Sequence, residues 1–173
     1  MKKALTVFLI ALVAITGVFA TTDVDLALNL KTNFFNFGFT TSGNEAEFVS
    51  PKIGIDLDGT FVFDRHNGFY IDLGFNMEEG NAFTVAGGYA YTDPLSNTMD
   101  LLLTVGPRFV FKSNTTLIGA DFNCDFKMDM TQKMFFRFGL GVNMDFVEIT
   151  KNKTDGYFDV AFSIPRVAIG WDF

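Results

Sequence analysis

From Val24 to Phe173, apolar side chains recur at every second position, and helical periodicity is nearly absent. Successive side chains on a strand point to opposite faces, so a chain patterned this way is built from strands. Eight such runs follow one another. The first sets Val24, Leu26, Leu28 and Leu30 against Asp25, Ala27, Asn29 and Lys31; the second sets Ile53, Ile55, Leu57 and Phe61 against Asp56, Asp58 and Thr60. Phe69, Ile71, Leu73 and Phe75 alternate with Tyr70, Asp72 and Gly74, and Phe83, Val85, Tyr89 and Tyr91 with Thr84, Ala86 and Ala90. Leu101, Leu103, Val105 and Phe109 alternate with Thr104, Gly106 and Arg108, and Ile118, Phe122, Cys124 and Phe126 with Asp121, Asn123, Asp125 and Lys127. The seventh run sets Met134 to Phe146 against Arg137, Gly139, Gly141, Asn143 and Asp145; the eighth sets Val167, Ile169, Trp171 and Phe173 against Arg166, Ala168, Gly170 and Asp172. Each is about ten residues or more, the length a tilted strand needs to cross hydrocarbon.

The start of the chain is different. Lys2 and Lys3 precede an apolar stretch from Ala4 to Phe19, and Val18-Phe19-Ala20 leads into polar Thr21-Thr22-Asp23. This is the layout of a secretory leader, with cleavage expected after Ala20. The domains are then 1–20, a signal peptide, and 21–173, a single strand-built domain. The net charge of −7 argues against a phosphate-neutralising nucleic-acid surface. One Cys, Cys124, precludes an intrachain disulfide.

Polar connections separate the runs: 40–47, 64–68, 78–81, Thr92–Asn97, 113–116, 130–132 and 148–156. Alternation alone does not say which face is wet, because a soluble lipid carrier hides its apolar face and a membrane barrel exposes it. The aromatics Phe63, Phe69, Tyr91 and Trp171 at one end and Phe111 and Phe146 at the other suit two interfacial girdles. Keeping faces in phase, tight turns put Asp125 opposite Arg137, Arg108 opposite Asp121 and Lys31 opposite Asp56. Opposite charges meeting across strands suit a satisfied polar lumen. The expected fold is therefore all-β: an eight-stranded antiparallel up-and-down transmembrane barrel with a polar lumen filled by side chains. Its luminal charge network is Lys31, Asp56, Asp72, Arg108, Asp121, Asp125, Arg137 and Arg166. Pro165 lacks a ladder donor and sits where the apolar parity shifts, which predicts a bulge at Ile164-Pro165.

Readings as a chemical site are weak. His66, the only His, lies in a turn beside Arg65 and Asn67. Asp56-Leu57-Asp58-Gly59 lacks the third acid and closing Glu of a calcium loop. Asp121, Asp125 and Asp129 share a face but stand roughly 13 Å apart at each step of four, at ~3.3 Å per residue, so they read as counter-ions. Gly139-Leu140-Gly141 has no helix behind it to bind phosphate. No catalytic, cofactor-binding or metal-ligating residue is expected, nor a cofactor.

The end of the chain, Val167, Ile169, Trp171 and Phe173, resembles the terminal assembly signal of bacterial outer-membrane barrels. With the leader and eight strands, the chain resembles the small family that includes the OmpX-like proteins and the OmpA transmembrane domain. That resemblance implies a place in the bacterial outer membrane, lipid around the wall, and handling by the barrel assembly machinery and periplasmic chaperones. It implies a structural or surface-interaction role, with an extracellular partner meeting 40–47 and 148–156. A narrow conduit for small or hydrophobic solutes is the alternative, and a secreted lipid-binding barrel the second alternative.

Overall fold

The computed structural model describes residues 23–40, 52–76, 82–151 and 153–173. The leader read at 1–20 and the connections 41–47 and 78–81 lie outside them. Eight strands run in order: β1 (Asp23–Thr40), β2 (Lys52–Val62), β3 (Asn67–Asn76), β4 (Ala82–Ser96), β5 (Met99–Phe111), β6 (Thr115–Asp129), β7 (Met134–Thr150) and β8 (Lys153–Asp172). Every strand pairs antiparallel with its sequence neighbours, and β8 pairs back onto β1, closing the barrel. Closure leaves no sheet edge along the paired stretches, the condition a sheet must meet in hydrocarbon.

The expected bulge is present. Gly139 and Gly141 of β7 face Arg166 and Ser163 of β8, so Ile164 and Pro165 together oppose the single Leu140 and β8 carries one extra residue. Ala161 and Ser163 point inward before it, Arg166 and Ala168 after it, and the bulge thus restores the luminal phase.

Two connections differ from expectation. Thr92–Asn97 reads as turn chemistry, yet β4 continues through Pro94 to Ser96 and the turn is Asn97-Thr98. Pro94 is tolerated because the ladder is irregular between Pro94 and Ser96. The segment 148–156 reads as a wide loop but is mostly a paired hairpin, with Glu148↔Asp155 and Thr150↔Lys153 in register. Its Thr and Ile content favours strand.

The β2–β3 turn carries the lone histidine. The Asp64 carboxylate accepts from the amides of His66 (2.8 Å) and Asn67 (2.6 Å). His66 Nδ1 donates to the Thr92 carbonyl (2.9 Å), and its ring stacks on Tyr91. The backbone N–H of His66, then that of Asn67, holds the Asp64 carboxyl below its ordinary value. A depressed acid stabilises above its unfolded pKa, and that contribution is lost as pH falls through the folded one. The turn should therefore keep its order below the usual carboxylate range and lose it only on further acidification. Amide shifts of His66 and Asn67 followed against pH check this, and Asp64→Asn should abolish the titration.

Candidate functional site: a charged interior behind an apolar wall

The two faces differ in charge. Leu28, Leu57, Val105, Leu140 and Ile169 are exposed on the outer wall, Leu28 at 54%. Asp25, Asp56, Asp58, Asp72, Asp121, Asp125, Asp145, Arg137 and Arg166 are buried inside. An apolar exterior around buried charge is the reverse of a soluble carrier, so the lipid-binding reading is set aside. Charges stay inside because hydrocarbon gives them no partner, whereas the closed interior does.

The three cross-strand charge pairings read from the sequence do not occur. Each true register differs by two residues: Asp125 faces Gly139, Arg108 faces Gly119, and Lys31 faces Gly54. A slip of two keeps every side chain on its face, so parity cannot detect it. Physically, the glycines make the difference. Gly119 lies between Arg108 of β5 and Asp145 of β7, and the Arg108–Asp145 pair closes over it at 2.5 Å. Gly139 lies likewise between Asp125 of β6 and Arg166 of β8, and that pair closes over it at 2.9 Å. A Cβ on Gly139 would fall on Asp125 Oδ1 and the Cys124 carbonyl. The ion pairs thus skip a strand, and glycine gives them the room.

Two further links span the interior. Arg137 of β7 pairs with Asp58 of β2, whose other oxygen accepts from Asn29. Lys127 of β6 reaches Asp25 (2.8 Å) and Asp172 (2.7 Å) beside the start of β1 and the end of β8. Asn123 donates to Asp121 (2.6 Å) and Thr104 (3.0 Å), and the Tyr70 hydroxyl also reaches Asp121 (3.4 Å).

Of the residues singled out from the sequence, Asp56, Asp72, Asp121, Asp125, Arg137 and Arg166 are buried in the interior, and Arg108 is half-buried there. The described features of Lys31 are its backbone pairings, with Gly54 and Arg166. Sequence reasoning missed Asp25, Asp58, Lys127 and Asp145 as network members, although their parity already placed them on the polar face. It also missed Phe135, which is fully buried, with Lys127 Nζ 4.6 Å and Arg137 Cζ 5.2 Å from its ring centroid. Leu102 is similarly internal, packed with Tyr70, Ala86 and Ala90. Parity alone carried the signal for both. The terminal Val167, Ile169, Trp171 and Phe173 alternate outward, and Cys124 is a half-buried free thiol on the outer face.

No family model matches the sequence, and no curated protein matches it closely. Solved structures match throughout. The N-terminal β-barrel domain of OprF from Pseudomonas aeruginosa superposes with a TM-score of 0.58 at 10% identity, over 87% of this chain and 97% of that one. The chain has the fold of the small eight-stranded outer-membrane β-barrels. Neisserial surface protein A gives 0.52 at 11% identity, covering 88% and 97%. A de novo designed transmembrane β-barrel gives 0.51 at 9% identity, covering 86% and 95%. Likeness to a designed barrel fits a fold dictated by pattern and closure.

In a barrel of this fold, the outer wall should punish charge. Leu140→Arg, mid-strand in β7, is expected to cost about 2–4 kcal/mol in bilayer unfolding titrations. A cost near zero would mean that this wall faces water.

Proposed function

We propose that this chain is a bacterial outer-membrane barrel with a structural role in the envelope and no chemistry of its own. One observation carries the reading. The ion pairs Arg137–Asp58, Arg166–Asp125 and Arg108–Asp145 link strands across the interior. Eight strands leave a bore only wide enough for side chains, and here the side chains are tied to one another. The terminal alternation supports delivery by the barrel assembly machinery and periplasmic chaperones. The hairpin end near Lys151 and Lys153, at the end of the barrel away from the start of β1, is offered to an extracellular partner.

The test is electrical. The refolded barrel in planar bilayers should be silent. Conductance steps that disappear when Arg108, Arg137 or Asp125 is altered would establish instead the second reading, a narrow conduit. An excess of buried acids favours cations for that alternative. Among the described side chains, Asp25, Asp56, Asp58, Asp72, Asp121, Asp125 and Asp145 are buried, against the cations Arg108, Lys127, Arg137 and Arg166 in the same interior.

A further inference from the structure

Two spaces share Trp171 on their borders. The first is a cavity of about 500 Å³ at the barrel mouth where β1 begins and β8 ends, bordered by Asp23, Asp25, Lys127, Lys133, Trp171 and Asp172. The second is an apolar groove of about 390 Å³ on the outer wall, lined by Leu28, Leu30, Ile55, Val167, Ile169 and Trp171. Its floor runs along Asn29 and Ala168, a paired couple on β1 and β8 whose side chains are buried.

The groove has a plain origin in the sequence. Where β8, β1 and β2 adjoin, the outward side chains are branched aliphatics: Leu26, Leu28, Leu30, Ile55, Leu57, Val167 and Ile169. On β7 the outward set includes the rings of Phe136, Phe138 and Phe146, and Phe136 borders the groove. The groove therefore follows the aliphatic stretch of the seam between β1 and β8, whose other half carries Phe158 and Phe162. Trp171 ends it with an indole, a group that prefers the level of lipid headgroups.

The mouth cavity carries both signs. Lys127 is already clasped by Asp25 and Asp172. Lys133 and Asp23 are exposed and take no part in that clasp. A polar space with one cation and one anion to offer, bordered by the same tryptophan as an apolar groove on the outer wall, is complementary to an amphiphile with a zwitterionic head.

We propose that the two spaces form one binding site for a single phosphatidylethanolamine. An acyl chain lies in the groove, the phosphate meets Lys133, and the ammonium turns toward Asp23. This rests on the reading of the chain as a membrane barrel. Each methylene buried in the groove adds hydrophobic affinity, while the charged pair selects the head.

Native mass spectrometry of the refolded barrel, loaded from micelles with palmitoyl-oleoyl phosphatidylethanolamine or the matching phosphatidylglycerol, tests it. One phosphatidylethanolamine should survive collision energies that strip all other lipid. Filling the groove with Leu28→Phe and Ile169→Phe should cut the retained fraction about tenfold. Lys133→Gln should weaken retention of both lipids, Asp23→Asn should erase the preference for phosphatidylethanolamine, and Val105→Phe, elsewhere on the wall, should change nothing. If the double variant does not show the boiling-dependent gel shift of a folded barrel, Ile55→Phe fills the groove from its other side. Equal retention in the filled variant, equal retention of phosphatidylglycerol by the wild type, or a dimer peak in place of bound lipid each overturns the proposal. A wild-type chain that fails to insert into vesicles sinks the membrane reading itself; one that inserts and keeps no lipid sinks only this site.

Discussion

Replacing Arg137 by alanine should remove about 3–5 kcal/mol of stability, because it strands the Asp58 carboxylate in the barrel interior. Both partners are almost fully buried: side-chain exposures are 3% for Arg137 and 6% for Asp58. After the substitution Asp58 keeps its bond from Asn29 but loses its counter-charge. The ring of Phe135 also loses one of the two cations it packs against. Removing both charges is a different matter. An apolar pair of similar volume escapes the desolvation penalty, so Arg137→Met with Asp58→Leu should recover most of the loss. Denaturant titrations of the barrel in lipid vesicles measure both. A single variant within about 1 kcal/mol of wild type would mean that water reaches the pair and screens it.

Gly139→Val should be comparably damaging, although it adds only a few apolar atoms. The new side chain would occupy the space where Asp125 and Arg166 meet over β7. Either the pair separates, at about 3–5 kcal/mol for a broken buried ion pair, or the strands part. The expected result is loss of the folded, heat-modifiable band on gels. Gly156→Val is the control, since nothing lies within 4 Å of a Cβ there. Equal behaviour of the two variants would refute the idea that glycine makes room for the ion pairs.

Much of this molecule is legible in its alternation. The eight strands, their inward and outward sides and the phase break at Pro165 all follow from counting by twos, because a strand in a barrel has no other way to sort its side chains. Register does not follow. Sliding the partner of Asp125 from Arg137 to Gly139 leaves every face unchanged, and only the volume of the charged groups decides between them. The rule that apolar residues belong outside hid Phe135 and Leu102, whose parity already placed them within. Composition also misled at Thr92–Asn97, where Asp93 and Pro94 look like a turn but the strand runs on because its ladder is irregular there. The spaces at Trp171 were not legible at all. They depend on which side chains of β8, β1 and β2 come side by side, which no single strand records.

The skipped-strand ion pairs also bear on how the molecule comes together. Arg137 and Asp58 are 79 residues apart in the chain, and Lys127 and Asp25 are 102 apart. No hairpin contains both members of either couple. Lys127 can meet Asp172 within the β6–β8 margin, but a growing, half-zipped sheet would carry Asp25, Asp58 and Arg137 without these partners toward the bilayer until its two margins come round to meet. Insertion and curling into a tube should therefore advance together, with any flat, partly threaded stage kept from settling by its own unmatched ions.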